Sequence, residues 1–337
     1  MHKTIIPLTA VRVYSYYTTA MNQEKTIDFI GIGAPRSGST WLAYCLEEHP
    51  NINFPQTFKT LPEGIFKKEI HFFSESLFRD NCAISNYQKG LKWYLNLFPP
   101  KKEGDICGEI SVSYLADKKA AQIIYKHFPE AKILVTLRNP TKMIYSAYNW
   151  FRAVVHTRVP KDFDRAVQEG ELENLKAEKA LYHKHLQRYF RTFPRGNIKI
   201  ILLDDIKKDP KKVMEDTYAF LGVSPKYTPQ NLNVKIHSAV RPRFEFLRTA
   251  GQIFFKSLER LDLPKIYKGF SNSDFFYVLY WKLNLVPYNY PPMEQKTKEI
   301  LIDYYREDIK KLESLINRDL TPWLQHKAEP RCATDSR

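Results

Sequence analysis

The sequence predicts an α/β fold in which a central, mainly parallel β-sheet is flanked by helices. Short β-rich runs at Thr26–Gly33, Lys132–Leu137 and Asn197–Leu203 alternate with helical stretches such as Asp117–His127 and Leu175–Phe193. Strands that alternate with helices are joined by crossovers, and crossovers make the sheet parallel. The first run also ends in glycines and turns directly into a helix over Ser39–His49, with Leu42 and Leu46 at helical spacing.

The remaining elements follow in order. Asp105–Ile110 is a further strand candidate, and Pro210–Leu221 and Met293–Ile316 have the spacing of amphipathic helices. The last of these is expected to turn Ile300, Leu301, Tyr304, Ile309, Leu312, Leu315 and Ile316 toward a core. Lys235–Pro292, rich in aromatic and basic residues, is expected to be a mixed helix-and-loop region capping the sheet. There is no internal repeat and no Gly/Ser linker, so residues 26–325 read as one domain, 1–25 as an N-terminal extension and 326–337 as a mobile tail. Met21 and the polar Asn22–Lys25 leave open whether the first twenty residues belong to the native protein.

Composition narrows the function classes. A chain of 337 residues, 43% hydrophobic and 26% charged, is ordinary globular material. The formal charge of +15 favours an anionic partner: nucleic acid, an acidic membrane, a polyanionic sugar or a phosphate-rich ligand. Charge alone does not choose among them. The four cysteines form no C-x-x-C pair, so neither a zinc site nor a disulfide framework is signalled, and a reducing cytoplasm is the expected compartment. No run approaches the roughly 18 to 20 apolar residues of a membrane span, and no secretion signal is read at the start.

Gly33-Ala-Pro-Arg-Ser-Gly-Ser-Thr40 has the frame of a phosphate-binding loop, G-x-x-x-x-G-K-[ST], with Ser39 in the lysine position. Backbone N–H groups at a helix N-terminus still favour an anion there. A nucleoside triphosphate with magnesium normally needs the lysine, so a 5′-phosphate of smaller charge fits better, with Arg36 supplying one positive charge. Alone, the segment is equally a glycine-containing turn. A second site strengthens the functional reading: Leu137-Arg-Asn-Pro-Thr-Lys-Met-Ile-Tyr-Ser146 follows another strand and again turns into a helix at Pro140. Arg138 at the strand end and Ser146 about two turns into the helix could reach one phosphate, although a lone Arg138 also fits a surface or capping role.

These residues resemble the sulfotransferases that use 3′-phosphoadenosine 5′-phosphosulfate (PAPS). P-R-S-G-S-T-W-L is similar to the family's 5′-phosphosulfate loop, and R-N-P-x(5)-S to its 3′-phosphate motif. Lys68-Glu-Ile-His-Phe-Phe73, Tyr87–Pro99, Gly108–Leu115 and the final Asp303–Trp323 are similar to segments of the heparan-sulfate-type and bacterial branch. The resemblance spans roughly residues 26 to 325 and implies the P-loop NTPase-like sulfotransferase fold.

The resemblance also implies a chemistry. A sulfuryl group passes in line from PAPS to an acceptor hydroxyl or amine, PAP (3′-phosphoadenosine 5′-phosphate) is released, and no metal takes part. Arg36, Ser37, Gly38, Ser39 and Thr40 would hold the 5′-phosphosulfate, with Trp41 as an adenine contact, and Arg138 and Ser146 the 3′-phosphate. Ser238, Arg241 and Arg243 resemble a loop that closes on the donor, and a solvated basic loop is the competing reading. The glutamate of the K-E-x-H-F-F motif is the general base, here Glu69, with His71 orienting it or acting as base itself; Lys68 assists the leaving group or is simply solvated. In an extended segment, Glu69 and His71 would share one face while Ile70 and Phe72 share the other. Glycosaminoglycan enzymes place a lysine where this chain has Ile110, which leaves a polysaccharide substrate less secure. Arg36 replaces a lysine of the cytosolic branch, keeping the charge and changing its geometry. The implied partner is a small-molecule or saccharide acceptor, with no nucleic acid and no membrane. The rival readings are a P-loop kinase using ATP and magnesium, and a nonenzymatic polyanion-binding protein.

Overall fold

Five short apolar strands pair in parallel: β1 (Phe29–Gly33), β2 (Ile52–Asn53), β5 (Ile106–Ile110), β6 (Lys132–Leu137) and β7 (Ile198–Leu202), in the order β2–β5–β1–β6–β7. The computed structural model of the chain describes residues 26–56, 59–61, 65–67, 69–74, 86–154, 159–234, 240–247, 249–250, 253, 257 and 283–325. Every residue of β1 is buried, as expected of a strand covered on both faces. Two small antiparallel pairs stand apart from the sheet: β3 (Lys59–Leu61) with β4 (Ile65–Lys67), and β8 (Val240–Pro242) with β9 (Leu285–Pro287).

Alternation along the strands divides the core in two. Ile30, Ile32, Ile133, Val135 and Leu137 face one layer, which holds Ile124 of α3 (Ala120–His127), Met143 and Ile144 of α4 (Pro140–Val154), and Phe163 of α5 (Phe163–Gln168). Leu186 of α6 (Tyr182–Thr192) and Leu301 and Tyr305 of α9 (Gln295–Ile316) complete that layer. Phe29, Ile110, Leu134 and Ile201 face the other layer, against α1 (Ser39–Glu47) and α8 (Pro210–Leu221). The short α2 (Leu91–Leu95) and α7 (Leu203–Lys208) fill connections. None of the described helices is long and apolar enough to cross a membrane.

The sequence signals locate most boundaries. Asp209 caps α8 by accepting from the Lys212 N–H at 2.9 Å, Pro210 opens it, and left-handed Gly222 closes it. Asp117 does not start α3, as its side chain takes the N–H groups of Lys119 and Ala120 at 2.8 and 3.1 Å and the helix begins at Ala120. The single helix expected over Leu175–Phe193 is broken into a 3₁₀ turn at Ala177–Ala180 and α6. In α9 the buried tyrosine is Tyr305, whose hydroxyl donates to Ala177 O at 2.9 Å, while Tyr304 is 38% exposed. That corrects the expected tyrosine, while Leu301, Ile309, Leu312 and Ile316 are buried as expected; Ile300 and Leu315 lie only partly buried beside the core. Within Lys235–Pro292, the described part includes the β8–β9 pair rather than helix and loop alone. Residues 1–25 and 326–337 lie outside the described residues.

Candidate active site

In a parallel sheet the loops at the carboxyl ends of the strands gather on one side, and there a ligand crevice forms. The loops leaving β1 and β6 carry the phosphate motifs, and the loop leaving β5 supports the segment after β4 that bears Glu69 and His71.

The loop after β1 is Gly33–Gly38. Gly33 has φ +120°, and a Cβ on it would lie 2.8 Å from the Val112 carbonyl oxygen, so only glycine lets the loop pass that close to the segment after β5. Gly38, at φ +92°, is the N-cap of α1, whose first turn has no side-chain cap and no acidic residue, leaving its N–H groups for an anion. Ser37 is fully buried and its hydroxyl donates to Pro35 O at 3.1 Å. Ser39 is 5% exposed and Thr40 half-buried.

The loop after β6 meets the first one. Asn139 caps α4, accepting from the N–H groups of Thr141 and Lys142 at 3.0 and 3.3 Å, which sets Arg138 at the strand end. Arg138 Nη1 donates to Arg36 O at 3.2 Å, and Arg36 Nε donates to Ser146 Oγ at 3.2 Å. The arginine of the first motif thus touches the serine of the second. Burial, then the Arg138 charge, lower the Arg36 pKa to about 10, partly offset by Tyr290. Two guanidiniums held together at a helix N-terminus fit a ligand bearing negative charge at two positions.

The third part is the segment after β4, Glu69–Ser74, which rests on the loop after β5. Glu69 and His71 pair, Oε2 to Nε2, at 3.3 Å, with side chains 24% and 27% exposed. Ile70 and Phe72 are buried, as the expected division of faces requires, but the segment is not a strand: His71 has φ +53°. His71 Nδ1 lies 2.8 Å from Ser113 Oγ, and Ser111 Oγ accepts from the N–H groups of Ile70 and His71 at 3.0 and 3.1 Å. Behind Ser111 stands Glu109, fully buried, whose pKa is raised by burial to about 7 despite hydrogen bonds from Ser111, Tyr114 and Tyr94. The Ser111 N–H donates to Gly31 O at 2.9 Å, so this loop is tied to the strand that enters the phosphate loop.

The structure brings together Arg36, Ser37, Gly38, Ser39, Thr40, Arg138 and Ser146, and separately Glu69 and His71. Trp41 is 7% exposed and its indole N–H donates to Leu232 O at 3.0 Å, so in this arrangement it anchors α1 on the core. Arg241 lies over the Tyr288 ring at 4.4 Å and Arg243 near Phe244 at 5.9 Å, both exposed. Lys68 and Ser238 lie outside the described residues. Ile110 is 1% exposed and packs on Gly31 as a core residue. Sequence reasoning missed Tyr182, a buried hydroxyl beside Ser37 and the Arg138 backbone, and Tyr290, whose hydroxyl meets Asn149 O at 3.3 Å. Both come from segments more than 100 residues from the phosphate loop. No local pattern marks them.

Comparison with known proteins places the chain in a family. Over 332 residues the chain is 25% identical to bifunctional heparan sulfate N-deacetylase/N-sulfotransferase 4 of Mus musculus, covering 91% of this chain and 33% of that protein. It is 25% identical over 331 residues to the Homo sapiens N-deacetylase/N-sulfotransferase 3, covering 91% and 32%. The chain therefore spans about a third of the length of these relatives. A solved sulfotransferase from Alicyclobacillus acidocaldarius superposes with a TM-score of 0.60 at 25% identity, covering 89% of this chain and 99% of that one. The family model described as the sulfotransferase domain matches residues 26–240, which include both phosphate motifs and the Glu69–His71 segment, and the chain belongs to that family.

Proposed function

We propose that this chain transfers a sulfuryl group from PAPS to an amine or hydroxyl of a saccharide acceptor, releasing PAP, with Glu69 as the general base and no metal. The observation that carries the reading is the meeting of Arg36, Arg138 and Ser146, which fits a donor with phosphates at both its 5′ and 3′ positions. The heparan sulfate enzymes among the relatives support a saccharide, while the buried Ile110 keeps a smaller metabolite as the alternative acceptor.

Bound there, the donor supplies a sulfuryl group and a phosphate leaving group on which charge builds. Arg36 and the amides that open α1 meet that charge, and cationic and amide donors aimed at developing charge stabilise the transition state more than the ground state. Arg138 and Ser146 hold the 3′-phosphate and so fix the donor's register. Glu69 accepts the proton of the attacking amine or hydroxyl, oriented by His71.

Thermal denaturation with PAP, ATP-magnesium and 5′-AMP tests the donor, since a ligand of the native state raises apparent stability. PAP is expected to stabilise most; equal shifts, or none with PAP, overturn the reading. Incubation with PAPS and either N-desulfated heparin or a metabolite extract, followed by mass spectrometry for a gain of SO3, then separates the acceptors.

A further inference from the structure

We propose that Ser111 and Ser113 are positioning residues that fix the backbone and the tautomer of His71, so that His71 holds Glu69 as the base. The inference rests on the sulfuryl-transfer reading above and assigns residues within that site.

For a neutral ring, the two contacts on His71 are satisfied by one tautomer. A carboxylate only accepts, so the Glu69–His71 contact at 3.3 Å requires the hydrogen on His71 Nε2. In the neutral ring, Nδ1 is then an acceptor, and the group facing it at 2.8 Å is the Ser113 hydroxyl, which donates. Ser113 is 4% exposed. Its hydroxyl thus selects the ring form that points a donor at Glu69 and leaves no lone pair on Nε2 for an incoming proton. Base chemistry falls to the carboxylate.

Ser111 holds the same histidine by its backbone. Its oxygen accepts two N–H groups, from Ile70 and His71, and its own hydrogen goes to Glu109 Oε2 at 2.6 Å. The other Glu109 oxygen accepts from Tyr94 at 3.2 Å and Tyr114 at 2.6 Å. With its hydrogen drawn toward Glu109, Ser111 faces the two amides as an acceptor. The segment's anchorage on β1, Ser111 N–H to Gly31 O and Leu115 N–H to Ile32 O, both at 2.9 Å, sets the base at a fixed offset from the phosphate loop. The serines lie two residues apart, one gripping the ring and the other the main chain.

Nitrogen NMR of the histidine rings at pH 8 with PAP bound, the His71 signals identified by H71Q, reads the tautomer directly. Wild type is expected to show the Nε2–H form, S113A a shift toward Nδ1–H, and S113T, which keeps the hydroxyl, a return. With PAPS and N-desulfated heparin, S113A is expected to lower kcat by about tenfold or more without raising KM for PAPS, and S111A by about 100-fold through displacement of the base. S113T should recover most of the lost kcat. An Nδ1–H ring in wild type, or an S113A enzyme with unchanged tautomer and kcat, overturns the inference. If S111A loses the stabilisation by PAP, the S113A and S113T pair decides alone. If heparin is not sulfated, the tautomer measurement still decides, and the acceptor reading alone has failed. Absence of stabilisation of wild type by PAP refutes the donor reading separately; the ring is then read without PAP.

Discussion

Arg36 and Ser146, 110 residues apart in sequence, are joined by a hydrogen bond of 3.2 Å from the guanidinium Nε to the hydroxyl oxygen. The contact joins the loop after β1 to α4, and Arg36 sits beside Arg138, where burial and like charge disfavour its cationic form. An anion relieves that cost. Arg36→Ala is therefore expected to weaken PAP binding about tenfold to hundredfold, the worth of a hydrogen bond to a charged group, while the unliganded melting temperature holds or rises. Calorimetric titration and thermal denaturation check the pair of outcomes. A fall in the unliganded melting temperature with PAP affinity intact would give Arg36 a purely structural role.

Glu69→Gln and Arg138→Ala should fail in opposite ways. The first is expected to lose about 100- to 10,000-fold in kcat, the range of a general base, and to keep the thermal shift with PAP. The second should lose that shift and raise KM for PAPS. Steady-state kinetics on both variants separate chemistry from binding, and full activity in Glu69→Gln would move the base to His71.

Glu109 links stability to pH. Burial raises its folded-state pKa from 4.5 to about 7, so between those values the native state binds more protons than the unfolded chain. The contribution is complete below pH 4.5 and is lost as pH rises toward 7, with a ceiling of about 3 kcal/mol. Urea denaturation at pH 5 and pH 7.5 should show this decline in wild type and a smaller one in Glu109→Gln. Equal declines would remove Glu109 as the source.

Gly33→Ala should destabilise strongly, because φ +120° and the Val112 carbonyl oxygen 2.8 Å away leave no room for a methyl group. Gly170→Ala is the control: φ is +81°, and nothing lies within 4 Å of the added carbon. The control should cost about 1 kcal/mol, the strain of the left-handed backbone alone, and Gly33→Ala about 3 kcal/mol. Chemical denaturation of both variants measures the difference.

What could be read from sequence is what short-range physics writes there. The phosphate loop, the R-N-P-x(5)-S site and α8 with its Asp209 cap and Gly222 stop each sit within a few residues of chain. Which of Tyr304 and Tyr305 is buried in α9 was not legible, because neighbouring tyrosines carry the same chemistry and only the packing against Ala177 chooses. β2 has two residues, too few to show a period. Glu109, Tyr94 and Tyr114 converge from separate elements, and Tyr182 and Tyr290 come from distant segments to lie beside Arg138 and Arg36, so their roles exist only once the sheet has formed.

Trp323, near the end of the described chain, donates its indole N–H to Asp204 at 3.1 Å and accepts from Asn139 Nδ2 at 3.2 Å. Asn139 is the neighbour of Arg138 and the cap of α4. A nascent chain still short of Trp323 therefore has both motifs but lacks the brace on one of them, and competence to hold the donor is expected only once α9 and Trp323 have left the ribosome.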